Sequence, residues 1–155
     1  MTITAERPVT EPSVEDLAGV FNDVNSAVGA ARRAFVAFSE CSLAQRRAFV
    51  DAVREAATQQ DRLEYMASAA VQETRMGNAH HKVLKNRYAA TRTPGVEDLV
   101  MEAHQGDDGL TTLEYSPYGV IGAITPTTNP TETIICNTIG MLSAGNTVVF
   151  SPHPR

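Results

Sequence analysis

The chain has 155 residues, the length of one domain or part of one, and its 43% hydrophobic content is ordinary for a globular protein. Thirteen basic against eighteen acidic residues give a net charge of −5, which speaks against a nucleic-acid footprint, since that needs a basic face. No apolar run reaches the length of a membrane span, no signal peptide opens the chain, and two cysteines without a framework fit a reducing, cytoplasmic setting.

Residues 1–12 contain two prolines and no periodicity and read as a flexible tail. Ser13 with Asp16 is an N-cap signal, and Leu17, Val20, Phe21, Val24, Val28, Ala31, Phe35 and Phe38 follow at helical spacing. Ser42 with Gln45 opens a second helix by the same box. Its stripe runs through Phe49, Val53, Ala56, Leu63, Met66, Ala67 and Ala70 to a stop at Gly77. Asn78 caps a third, carrying Val83, Leu84 and Tyr88 and closing before Thr93-Pro94-Gly95. Residues 13–96 therefore read as a helical scaffold. The arginine pairs Arg32-Arg33 and Arg46-Arg47 and the lysines Lys82 and Lys85 read as solvated charges. Cys41 falls in an interhelical turn. His80-His81 are adjacent, so they cannot share one ligand site as an i, i+4 pair would, and no metal site is expected.

Leu99, Met101 and Ala103 alternate, Gly106-Asp107-Asp108-Gly109 turns the chain, and Leu110 to Tyr115 extends it again. Residues 97–117 thus read as a β-hairpin.

Residues 118–155 are the organising stretch. Val120, Ile121, Ala123 and Ile124 form a short apolar run suited to a buried strand. Thr131, Ile134, Ile135, Thr138, Ile139 and Leu142 follow at helical spacing, Gly145-Asn146 stops the helix, and Thr147 to Phe150 is a second strand. Strand, helix and strand make one βαβ unit of an α/β fold with a doubly wound parallel sheet. Ligands of such sheets sit at the carboxyl ends of the strands, here residues 125–129 and 151–153. The loop has no G-x-G-x-x-G opening the helix. It carries hydroxyls, an amide and two prolines instead. Pro130 suits the first helical position, and Asn129 before it suits an N-cap, so spacing alone leaves Asn129 open between a helix cap and a functional amide. Cys136 lies about two turns into this helix and reads as a packed, inert cysteine.

The run Thr125-Pro126-Thr127-Thr128-Asn129-Pro130-Thr131-Glu132-Thr133, with Ser143-Ala144-Gly145-Asn146-Thr147-Val148-Val149-Phe150-Ser151-Pro152-His153-Pro154, resembles the aldehyde dehydrogenase superfamily. Within it the chain is most similar to the CoA-acylating acetaldehyde and propionaldehyde dehydrogenases of ethanolamine and propanediol utilisation. Glu73-Thr74-Arg75-Met76-Gly77, Thr93-Pro94-Gly95-Val96-Glu97 and Gly106-Asp107-Asp108-Gly109-Leu110 extend the match.

The resemblance implies a cytoplasmic, homo-oligomeric, NAD-dependent oxidoreductase (NADP is the alternative) that converts a short aldehyde and CoA to acyl-CoA. It implies that Ile124, Thr125, Pro126 and Thr127 line the nicotinamide half of the cofactor, that Ser151 and His153 approach the adenosine ribose, and that the hairpin builds the oligomer interface. The family's oxyanion-stabilising asparagine aligns without gaps on Thr128, while Asn129 supplies the asparagine after a one-residue slip; Asn129 is favoured as the better donor. Some members are targeted to a microcompartment lumen by an N-terminal helix, which Pro8 and Pro12 would break here. The nucleophilic cysteine and the CoA surfaces are placed far beyond residue 155, so the chain is expected to be an N-terminal fragment, inactive by itself. The rival enzyme is a hydrolytic aldehyde dehydrogenase, in which a lysine is usual where this chain has Ser151. A non-catalytic interaction piece or gene remnant is the rival from another class.

Overall fold

The computed structural model describes residues 18–154. The expected tail and the Ser13–Asp16 cap lie outside them.

The first helix, α1, spans Val24–Ser39. It starts later than the apolar spacing suggests, and Asp23 caps it: its side chain accepts from the backbone N–H of Ser26 at 2.9 Å. Val20 and Phe21 therefore precede the helix, beyond a turn at Gly19. The Ser42 and Gln45 capping box is formed as expected and opens α2, Leu43–Thr58.

The expected single helix to Gly77 is two. α2 ends at Thr58, Gln59 takes an extended ψ of 131°, and α3 runs Gln60–Thr74. Buried Ala57 and Leu63 explain the break. They are six positions apart, which in a continuous helix would set them on faces about 120° apart. Breaking the rod lets both point inward. Arg75 in the left-handed region then ends α3.

Asn78 caps α4, Ala79–Arg92, accepting from the backbone N–H of His81 at 2.9 Å. Its inward face differs from the expected one. Lys82, Asn86, Ala89 and Ala90 are buried, whereas Leu84 and Tyr88 are exposed. Small residues win this face because α4 lies close against α2, α3 and the later helix over Pro130–Ser143.

A single 3₁₀ turn, Val96–Asp98, leads into the hairpin β1, Glu102–Gly106, and β2, Gly109–Leu113, paired antiparallel with Gly106 opposite Gly109. Every residue of both strands is exposed. Arg54 of α2 ties down the entry to this segment: its guanidinium donates to the Thr93 carbonyl at 2.9 Å and pairs with Glu97 at 2.7 Å. The hydrogen bond from Arg54, then one from the Glu97 backbone, hold the Glu97 carboxyl below its ordinary value of 4.5. A lowered carboxylate pKa stabilises the fold above the ordinary value, and that stabilisation is lost as pH falls through the folded one. Glu97→Gln should therefore lower stability near neutral pH, by less than about 1 kcal/mol because the pair is exposed. The difference in unfolding midpoints between the two proteins should shrink as pH falls below the ordinary carboxylate value.

β3, Val120–Ile124, and β4, Thr147–Ser151, are parallel neighbours joined by α5, Pro130–Ser143. This is the expected βαβ unit. The strand expected to be buried on both faces has only Ala123 buried, and Ile124 is 82% exposed. With two strands there is no inner strand to enclose, and both edges of this sheet stand open among the described residues. The inward face of α5 is also shifted: Glu132, Ile135, Ile139 and Ser143 are buried, while Ile134 is exposed. α1 packs on both strands, and Thr147 donates its hydroxyl proton to the Ala31 carbonyl at 3.1 Å.

The core gathers Val50 and Ala57 of α2, Ala89 and Ala90 of α4, Val96, and Ile135 and Ile139 of α5. It lies between helices rather than under the sheet. Arg46 is not a purely solvated charge: its guanidinium sits 5.8 Å from the Phe38 ring centroid and beside Gly145.

Candidate active site

Parallel pairing puts Ile124 beside Ser151, and the backbone N–H of Thr125 donates to the Ser151 carbonyl at 3.1 Å. The two segments singled out in the sequence, 125–129 and 151–153, thus leave adjacent strands at the same end. Ile124, Pro126, Thr128, Ser151 and His153 are exposed there, and Thr127 and Asn129 are half-buried. Thr125 differs. It is buried, and its hydroxyl has no hydrogen-bond partner among the described residues.

The surface suits the cofactor in kind. An exposed isoleucine and proline offer a planar ring an apolar floor, and the neighbouring Ser151 hydroxyl can hydrogen-bond a ribose. Among the described residues no helix N-terminus carries a glycine fingerprint for a pyrophosphate.

Asn129 precedes Pro130, which occupies the first helical position as expected, but its side chain makes no capping hydrogen bond. The helix-cap reading of the amide is therefore not what the structure holds. Only the Asn129 carbonyl enters the helix, accepting from the Thr133 N–H at 3.2 Å. The Asn129 side-chain oxygen instead accepts from the ammonium of Lys85, and its Nδ2 lies 3.5 Å from the Thr128 hydroxyl. Lys85 also pairs with Glu132 at 3.2 Å, and the Glu132 carboxylate is buried. One turn earlier on α4, Lys82 donates to the Thr128 carbonyl at 3.0 Å. The Thr131 hydroxyl lies 2.8 Å from Asn86 Oδ1.

Reading Lys82 and Lys85 as surface charges is thus wrong for Lys82, which is 3% exposed, and incomplete for half-exposed Lys85. A signal for them existed. Lys82, Asn86 and Ala89 recur at i, i+4 and i+7, so the face carrying small residues also carries a lysine and an amide. Reliance on large apolar residues hid it.

Cys136 is half-buried against the core, and its sulfur lies 3.2 Å from the Thr93 hydroxyl, in keeping with a packed cysteine. Among the described residues no cluster of three His, Cys, Asp or Glu could hold a metal ion, and no helix is long and apolar enough to cross a membrane.

A βαβ unit whose strand ends carry a proline-bounded Thr-Thr-Asn loop matches known proteins over its whole length. The profile of the aldehyde dehydrogenase family matches residues 2–155, and the chain belongs to that family. It is 50% identical over 136 residues to a CoA-propanoylating propanal dehydrogenase of Citrobacter freundii, an alignment covering 88% of this chain and 29% of that protein. Among solved structures it is similar to Rhodopseudomonas palustris propionaldehyde dehydrogenase with bound CoA and an acylated cysteine. The TM-score is 0.85 and the identity 59%, over 88% of this chain and 31% of that one. An engineered glycolyl-CoA reductase with bound NADP⁺ is also 59% identical, with a TM-score of 0.81, over 83% of this chain and 29% of that one. The chain therefore spans about three tenths of the length of these relatives and corresponds to their N-terminal part.

Proposed function

We propose that this chain is the N-terminal portion of a CoA-acylating aldehyde dehydrogenase that converts a short aldehyde, CoA and an oxidised nicotinamide cofactor to acyl-CoA and the reduced cofactor. The observation that carries this reading is the meeting of residues 124–129 with 151–153 at the carboxyl ends of β3 and β4, in a chain of this family. The names of the relatives favour CoA over water as acyl acceptor, as does Ser151 in place of the lysine usual in hydrolytic members. Assembly as a homo-oligomer through the fully exposed hairpin and a cytoplasmic location complete the proposal.

The bound nicotinamide would supply hydride acceptance. Ile124, Pro126 and Thr127 would floor its ring, and Ser151 and His153 would border the adenosine ribose. Asn129 Nδ2 would donate to the aldehyde oxygen as negative charge develops on it, with the Thr128 hydroxyl as the alternative donor. The nucleophile and the CoA surfaces belong to the part of the relatives that this chain does not span.

Two measurements on the complete enzyme test this. Asn129→Ala should lower kcat about a hundredfold, the usual loss for one oxyanion donor, with little effect on cofactor binding. An unchanged kcat would assign the role to Thr128. Ser151→Lys should tighten NADP binding relative to NAD by placing an ammonium where a 2′-phosphate would lie. Unaltered affinities for both cofactors would remove Ser151 from the cofactor site.

A further inference from the structure

We infer that Lys85 is a positioning residue that sets the orientation and donor strength of the Asn129 amide. This rests on Asn129 as the oxyanion donor.

An asparagine amide can rotate to present either its oxygen or its NH₂ group to a partner, and the two forms occupy the same space. An ammonium removes that freedom. It has donors and no acceptor, so the Lys85 Nζ contact can be made only by Asn129 Oδ1. Nδ2 is then turned away from α4. Its nearest protein partner is the Thr128 hydroxyl at 3.5 Å, too long to hold either hydrogen strongly. An amide N–H pair left this weakly engaged is free to donate to a developing oxyanion. The charged hydrogen bond on Oδ1 also draws electron density from the amide, which makes its N–H groups stronger donors.

The remaining contacts hold Lys85 and its target in place. Glu132, buried on the first turn of α5, pairs with the ammonium at 3.2 Å, so Lys85 bridges Asn129 and the helix that Asn129 precedes. That carboxylate balances the lysine charge, so the ammonium acts on the amide rather than as a bare cation facing the substrate. Lys82 holds the Thr128 carbonyl at 3.0 Å, which fixes the peptide plane leading into Asn129. Lys82 is buried on the inward side of α4 and half-exposed Lys85 follows three residues on, so one rigid helix sets the loop at two consecutive residues.

The test is a double-mutant cycle in the complete enzyme, comparing wild type, Asn129→Ala, Lys85→Met and the combination. Lys85→Met should lower kcat about tenfold, less than deleting the donor outright, with KM for the aldehyde and the cofactor dissociation constant unchanged. The combined variant should be no slower than Asn129→Ala alone, because Lys85 acts only through that amide. Lys85→Arg, which keeps a charged donor, should recover most of the loss. If Lys85→Met does not fold, Lys85→Leu takes its place in the cycle. A normal kcat in Lys85→Met beside an impaired Asn129→Ala overturns the positioning role while leaving the oxyanion reading intact. Losses that multiply in the combined variant would mean that Lys85 acts on the substrate directly, which also overturns it. An unimpaired Asn129→Ala overturns the oxyanion reading and this inference together.

Discussion

Truncating Leu63 to alanine is expected to destabilise the α3–α4 region by about 3–5 kcal/mol, the range for a leucine removed from a core that cannot collapse around the gap. Leu63 is fully buried and is the first inward residue after the break at Gln59. The helices on either side of it are held by other contacts: α2 and α4 share Val50, Ala57, Ala89 and Ala90. The void would therefore persist rather than close. In the complete enzyme, amide hydrogen exchange in α3 should accelerate more than a hundredfold, since each 1.4 kcal/mol is a factor of ten. Exchange in the exposed hairpin should not change. Exchange in α3 that stayed within threefold of wild type would show that Leu63 does not anchor this helix.

Gly145→Ala should cost about 2–3 kcal/mol, for two separable reasons. Gly145 ends α5 with φ +80°, where a β-carbon meets the neighbouring carbonyl at a cost of roughly 1–2 kcal/mol. That carbon would also lie 2.8 Å from Nη1 of Arg46, so the guanidinium would have to leave its place beside the Phe38 ring. Gly145→Asn separates the two reasons, since asparagine tolerates the left-handed region but carries the same β-carbon. If backbone conformation dominates, Gly145→Asn should recover most of the lost unfolding midpoint. If Arg46 dominates, Gly145→Asn should be as unstable as Gly145→Ala, and Gly145→Ala with Arg46→Ala should be less so. Wild-type stability in Gly145→Ala would contradict both.

Local patterns were sufficient where one short stretch contains its own instruction. The capping box at Ser42 and Gln45, the Asn78 cap, the Gly106–Gly109 hairpin and the strand–helix–strand run from Val120 to Ser151 each stand where their residues place them. In the first three, the hydrogen bonds that specify the element join residues close in sequence; in the last, each of the three elements has its own contiguous pattern although β3 and β4 pair across the whole of α5. The family was legible for a related reason. The Thr-Pro-Thr-Thr-Asn-Pro loop and the Ser-Pro-His-Pro exit are contiguous, and their order alone carries the resemblance.

Element types, the βαβ unit and the family can therefore be read from residue order along the chain. Which helix faces turn inward, where the rod after Ser42 breaks and what holds the Asn129 amide are set by packing. These depend on partners far along the chain. Lys82 and Lys85 reach residues more than forty positions away, and α4 buries alanines, an asparagine and a lysine because α2, α3 and α5 all pack against it. A propensity reads one helix at a time and ranks Leu84 and Tyr88 above Ala89 and Ala90. Close packing reverses that order, because helices that approach this closely have room on the shared face only for small side chains and for polar groups whose hydrogen bonds are met across the gap.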